Sequence, residues 1–262
     1  MEIAGWIMAL VIGLTLGLLG GGGSILTVPV LVYMLGINPV VSTGYSLFIV
    51  GISAFVGAIS YYRKDLIDIK TAVVFGLPAI VGVYLARLFV VPAIPTDVFQ
   101  VGTFMVTKNI GIMLLFAVMM IAASISMIKG RKDREVNPDR KFNYPLILAE
   151  GLVVGLLTGL VGAGGGFLII PALVILSDLP MKMAVGTSLS IIAVKSLIGF
   201  IGEVQIHTPD WVFLLSFSAL AVAGIFIGTK LSNVISGQKL KPVFGWFVLV
   251  MGIYILGKEL MF

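Results

Sequence analysis

A chain of 262 residues that is 59% hydrophobic and only 11% charged cannot bury its apolar surface as a water-soluble domain. Cysteine is absent and histidine occurs once, which excludes a disulfide framework and a thiolate metal site. The formal charge of +5 sits mostly in short segments between apolar runs, where basic residues set membrane topology rather than form a nucleic-acid footprint.

The expected class is therefore an all-α polytopic membrane protein. The N-terminal stretch MEIAGWIMAL carries Glu2 and no basic residue, unlike a secretory leader, so it is expected to remain as a helix. In chain order the apolar pieces are 3–19, 25–36, 41–62, 71–91 and 103–128. A polar segment follows at 129–143, KGRKDREVNPDRKFN, with six basic and three acidic side chains and Pro138; it reads as a loop. Five more pieces follow it at 144–161, 167–177, 183–202, 211–230 and 242–260. The second piece of each set has about 12 residues and reaches roughly 18 Å, short of the ~30 Å hydrocarbon thickness.

The two sets are copies. At an offset of 142, residues 13–47 and 155–189 match without gaps at 14 of 35 positions. Gly13, Gly17, Gly20, Gly22, Gly23, Pro29, Gly44 and Ser46 fall on Gly155, Gly159, Gly162, Gly164, Gly165, Pro171, Gly186 and Ser188. Gly57 on Gly199, Asp68 on Asp210 and Gly82 on Gly224 continue the register. The organisation expected is a first membrane repeat, 1–128, a linker loop, 129–143, and a second repeat, 144–262.

Charge decides how the repeats relate. If the chain turns back at each glycine cluster, each half makes an odd number of passes and the halves are inverted. With the central loop in the cytoplasm, that arrangement puts 13 of 17 basic residues inside and both termini outside. A straight crossing through the glycines makes the halves parallel and puts only 10 inside. Inverted repeats, each with a Gly-broken helical hairpin and three transmembrane helices, are the expected build, one typical of secondary transporters.

The clusters GLLGGGGSILTVP and GLVGAGGGFLIIP break the backbone at membrane depth, which is tolerated only inside protein or facing a cavity. A short helix is expected to begin after each, at Ile25 and Phe167, and its free N–H groups and dipole favour an anion. Gly13/Gly17 and Gly155/Gly159 read instead as helix-packing glycines. The candidate substrate site therefore contains Gly20, Gly21, Gly22, Gly23 and Ser24 from the first break. Gly162, Gly164, Gly165 and Gly166 join from the second. The matched segments STGYSL and AVGTSL add Tyr45, Ser46, Thr187 and Ser188 as hydroxyl donors, favoured by their symmetric placement over helix capping or back-bonding to a carbonyl.

A glycine-rich break, a proline six residues later and AVGTSL thirteen beyond resemble the sulfite exporter TauE/SafE family, within the toluene-sulfonate uptake permease group. The likeness extends over both repeats and is closest in the second; the first departs at Tyr45, where threonine is expected. It implies membrane transport of sulfite, organosulfonates or related small sulfur-containing anions.

Lys195, in SLSIIAVKSLIGFIG, stands at depth and falls on Ser53 in the repeat, so one positive charge breaks the symmetry. It is the favoured anion-binding side chain; the alternative is an ion pair with Glu150 or Glu203. Glu150 is a candidate proton-coupling carboxylate, though pairing with a base or reaching the interface is the plainer role. Arg87 is read as a snorkelling anchor in preference to an anion attractor at the mouth. Trp6, Trp211 and Trp246 read as interfacial anchors, and the loop residue His207 receives no role. An intramembrane enzyme would need a catalytic set at depth, and no Asp falls mid-helix. The expectation is a secondary transporter in the cell membrane, an exporter by direction, alternating about a midplane site. An anion channel on the same framework is the alternative. Its partners are a small anion and the bilayer, with a homodimer as candidate assembly and neither cofactor nor metal.

Overall fold

The computed structural model describes residues 2–101, 104–129, 144–177, 179–206, 208–232 and 237–261. The central loop from 130 to 143 and His207 lie outside the described residues. The chain is a polytopic helical membrane protein, with seven described helices long and apolar enough to cross a bilayer.

Helix α1 (Glu2–Leu19) ends at the first glycine cluster. A short arm follows: a 3₁₀ stretch at Gly22–Leu26, one α turn, α2 (Thr27–Pro29), and a π turn at Val30–Met34. The arm turns back along α1. A Cβ on Gly23 would strike the backbone at Leu16, whereas one on Gly5 would strike the Leu35 side chain. Rising residue numbers in the arm thus meet falling numbers in α1, so the chain reverses at the glycines.

Helix α3 (Pro39–Tyr62) begins at Asn38, whose side chain accepts from Val40 N–H at 2.9 Å, with proline at the first turn. Helix α4 (Ile69–Leu85) is capped by Asp68 and continues through a π turn at Ala86–Val90 into α5 (Val91–Ala93). The fifth apolar piece, expected from 103, starts as strand rather than helix. β1 (Asp97–Val101) pairs antiparallel with β2 (Phe104–Thr107) before α6 (Lys108–Lys129). The β-rich run DVFQV…FMVT, with its β-branched and aromatic residues, explains the difference.

The second half repeats the order. It contains α7 (Tyr144–Val161), the second arm α8 (Gly166–Leu176), α9 (Met181–Val204), α10 (Trp211–Leu231) and α11 (Gly237–Met261). Asp210, the repeat equivalent of Asp68, caps α10 by accepting from Phe213 N–H at 3.0 Å. The arms open slightly earlier than expected, at Gly22 and Gly166.

Glycine determines which helices touch. A Cβ on Gly13 would collide with the carbonyl of Ala221, and one on Gly224 with that of Leu10, so α1 runs parallel and close to α10. The equivalent contacts, Gly155 on Ala79 and Gly82 on Leu152, bind α7 to α4. Without a hydrophobic drive between helices in lipid, such close backbone approach supplies the packing energy. At the centre, α3 and α9 run antiparallel, with Gly44 against Glu203, Gly51 against Leu197 and Gly186 against Tyr61. Val73, Leu77, Val81, Leu85 and Phe89 form an exposed apolar stripe on the other side of α4 and its continuation, the side that faces lipid. Trp211 and Trp246 are exposed, but Trp6 is half-buried against Phe213 and Phe217 and is not a free anchor.

Gly13→Leu and Gly155→Leu should each lower the thermal unfolding midpoint of detergent-purified protein by several degrees, the overpacking costing about 1–3 kcal/mol. Gly111→Leu, where a Cβ meets nothing within 4 Å, should leave the midpoint unchanged.

Candidate functional site

The two glycine breaks meet. A Cβ on Gly21 would stand 2.5 Å from Gly166 Cα and 2.9 Å from Ile192 Cδ1, so the breaks touch backbone to backbone against α9. A Cβ on Gly164 would stand 2.6 Å from Val50 Cγ1 and 3.1 Å from Ser24 Cβ. Val50 and Ile192 are repeat equivalents, each twelfth in a helix of 24 residues, which puts the junction halfway along α3 and α9. Gly20, Gly21, Gly162, Gly164 and Gly165 have positive φ, from 63° to 126°, a backbone that side chains disfavour. Gly23 packs on α1, and Gly22 opens the 3₁₀ stretch.

Two carbonyls of the first break accept from serines. Ser188 Oγ donates to Gly20 O at 2.6 Å across the two halves, and Ser24 Oγ donates to Gly21 O at 2.6 Å. Neither arm is capped by a side chain, and the first N–H groups of a helix find no acceptor within it.

Lys195 enters the junction from α9. Its side chain is fully buried, and a Cβ on Gly165 would stand 2.9 Å from Nζ. Nζ donates to Thr158 Oγ1 at 2.6 Å. Among the described residues no carboxylate forms an ion pair with it, so neither Glu150 nor Glu203 is its partner. Ser46 lies on the face of α3 that meets the second break. Gly162 abuts Thr43 one turn before it, and Gly164 abuts Val50 one turn after it. Its hydroxyl is buried without a hydrogen-bond partner.

Two predicted donors are not brought to the junction. Tyr45 OH accepts from Asp210 N–H at 2.8 Å, and its equivalent Thr187 Oγ1 accepts from Asp68 N–H at 2.9 Å. Both fasten the loop before a capped helix at opposite ends of the α3–α9 pair. Capping geometry, not anion contact, accounts for them. Glu150 is only partly buried, and its Oε2 is enclosed without accepting a hydrogen bond.

Arg87 is not a snorkelling anchor. It is fully buried and pairs with Glu203, Nη1 to Oε2 at 3.0 Å. Sequence reasoning missed this pair, although the signal existed: at the 142 offset Arg87 falls on Thr229 and Glu203 on Tyr61, two unmatched charges at depth. Thr158 carries no such signal, since an apolar Leu16 is its equivalent.

The profile of the Sulfite exporter TauE/SafE family matches residues 6–255. A "Probable membrane transporter protein" of Xylella fastidiosa (strain 9a5c) is 30% identical over 95% of this chain and 92% of its own length. The "Probable membrane transporter protein YunE" of Bacillus subtilis (strain 168) is 28% identical, over 88% and 86% of the two chains. The "Probable membrane transporter protein MJ0441" of Methanocaldococcus jannaschii is 26% identical, over 95% and 93%. These are names of transporters, not of enzymes. No solved structure matches.

Gly166→Ala tests the contact between breaks, because alanine suits a helical first turn and the atoms nearest the added methyl are Gly21 backbone. It should destabilise the purified protein by about 1–3 kcal/mol in thermal unfolding. An unshifted midpoint would show that the breaks are free to separate.

Proposed function

We propose that this chain, which belongs to the sulfite exporter TauE/SafE family and is a multi-pass membrane transporter, exports a small sulfur-containing anion such as sulfite or an organosulfonate. The observation that carries the reading is Lys195. Its side-chain nitrogen is fully buried at the junction of the breaks, and its hydrogen-bond acceptor is the neutral hydroxyl of Thr158. A hydroxyl dipole cannot balance a full charge, and a buried ion left uncompensated costs several kcal/mol. An anion at the junction supplies the missing charge. The two arms opening there add positive field, and the glycines let the anion approach the backbone. Ser46, with its buried unpartnered hydroxyl, is the side-chain donor best placed to join Lys195.

The halves 1–128 and 144–262 are read as inverted repeats joined by a cytoplasmic segment 129–143, with both termini outside. Supporting this, the repeat-equivalent helices α3 and α9 run in opposite directions, and the contact of α1 with α10 is matched by that of α7 with α4. The contact of Gly21 with Gly166 closes the junction, so exchanging the conformations of two similar halves would open it to one side at a time. Glu150, with one enclosed carboxylate oxygen, is the candidate coupling group.

In proteoliposomes, Lys195→Gln and Lys195→Met should reduce anion affinity roughly 10- to 100-fold, the loss of a hydrogen bond to a charged group. Uptake at normal affinity in either variant would refute the assignment. Binding by the purified protein should be measured for sulfite, sulfoacetate, taurine, thiosulfate, sulfate and chloride. Saturable, gradient-coupled flux is expected; bursts of unitary current would identify a channel instead.

A further inference from the structure

The Arg87–Glu203 pair is half satisfied. Arg87 spends Nη1 on Glu203 Oε2, but its Nε and Nη2 are buried and meet no acceptor among the described residues. Nε and Nη2 form one edge of the planar guanidinium, the edge that binds two oxygens of an oxyanion at once. Buried donors without acceptors are expensive, so a fully buried arginine with that edge open points to a ligand.

The local backbone points the same way. Arg87 sits in the π turn Ala86–Val90, and π turns inside helices concentrate at functional sites. The equivalent residue Thr229 lies in the last turn of α10, which is α-helical to Leu231.

Position completes the argument. Glu203 lies eight residues beyond Lys195 on α9, about 12 Å along the helix. Glu203 rests on Gly44 of α3, and Arg87 rests against Gly202. Val40 and Val41, about one turn before Gly44, line an open and mainly apolar cleft of about 510 Å³ that Asn38, Lys108 and Asn109 also border. Val40 packs with Val91 and Ile112 as an apolar layer at that level. Lys108, Arg87 and Lys195 therefore mark successive depths from this end of the molecule to the junction. At the other end the equivalents of Arg87 and Glu203 are the uncharged Thr229 and Tyr61.

We propose that Arg87 is a second anion-binding residue, about 12 Å outward of Lys195 on the way from this cleft to the junction, and that Glu203 is its resident counter-ion. It takes a small oxyanion, bidentate on Nε and Nη2, before the anion reaches Lys195. The proposal rests on the anion-transport reading given above.

A mere tie between α4 and α9 and a binding role make opposite predictions for Glu203. Titration of the detergent-purified protein with sodium sulfite and with sodium methanesulfonate, alongside thermal unfolding, separates them. Arg87→Gln should weaken binding about tenfold, and Arg87→Lys, which keeps the charge but loses the fork, should weaken it less. Glu203→Gln should tighten binding, because it removes the competing carboxylate. The double variant R87Q/E203Q should regain most of the thermal stability lost in R87Q yet bind as weakly as R87Q. In Lys195→Met, residual weak binding should persist and disappear when Arg87→Gln is added. If Glu203→Gln weakens binding as Arg87→Gln does, or the double variant binds like the native protein, the pair is only a tie. If Lys195→Met abolishes binding while Arg87→Gln leaves it intact, the anion reading stands and the Arg87 site falls. If the native protein binds neither anion, the transport reading itself fails and takes the Arg87 site with it.

Discussion

A backbone break inside hydrocarbon has to be enclosed by protein, and the centre of this molecule is arranged around that requirement. Each cluster leaves helical geometry through glycines at positive φ, so its peptide groups lose their helical partners. The enclosure is mutual. Gly21 lies on Gly166, the Ser188 hydroxyl reaches across to the Gly20 carbonyl, and Ser24 closes back on Gly21. Glycine meets two demands at once here: it permits the turn, and it removes the Cβ that would hold the breaks apart. The walls come from α3 and α9, which present Val50 and Ile192 at equal depth.

The outer helices answer a different need. In lipid, one apolar face gains nothing by leaving the hydrocarbon for another, so closeness must come from small residues. Gly13, Gly17, Gly224 and Gly228 bring α1 to α10, while Gly82, Gly151, Gly155 and Gly159 bring α4 to α7. One glycine per turn suffices for packing, whereas a run of glycines makes a turn. The same residue type therefore does two kinds of work in this chain, told apart by spacing.

Much of this was legible in the sequence because spacing and repetition are local signals. The polytopic class, the ten apolar pieces, the shortness of the arms and the separation of packing from breaking glycines follow from periodicity and from the 142-residue offset. Lys195 was legible as an unmatched charge at depth. Tyr45 and Thr187 were misplaced because symmetric placement of hydroxyls fits capping as well as ligand contact, and only tertiary contacts identify Asp210 and Asp68 as their partners. Arg87 was misread because a cation near a helix end can snorkel or bury. Which it does depends on whether a carboxylate on another helix reaches it, and Glu203 is 116 residues away in sequence. Strand β2 was read into the fifth apolar piece because a helix and a strand share an apolar composition.

The framework is closely matched between halves, but its energetics are not. Residues 61 and 203 are repeat equivalents, and they occupy equivalent seats: Tyr61 on Gly186 at one end of the α3–α9 seam, Glu203 on Gly44 at the other. At the first end, among the described residues, the Tyr61 hydroxyl makes long contacts, 3.4 Å to Gly17 O and 3.5 Å to Ser232 Oγ, near the limit of a hydrogen bond. At the second end Glu203 is held by a fully buried guanidinium at 3.0 Å. Separating a charge pair where the effective dielectric is low costs more than releasing a phenol from weak contacts. The two ends of the seam are therefore braced differently, the Glu203 end by a buried charge pair to the turn after α4 and the Tyr61 end by weak phenol contacts.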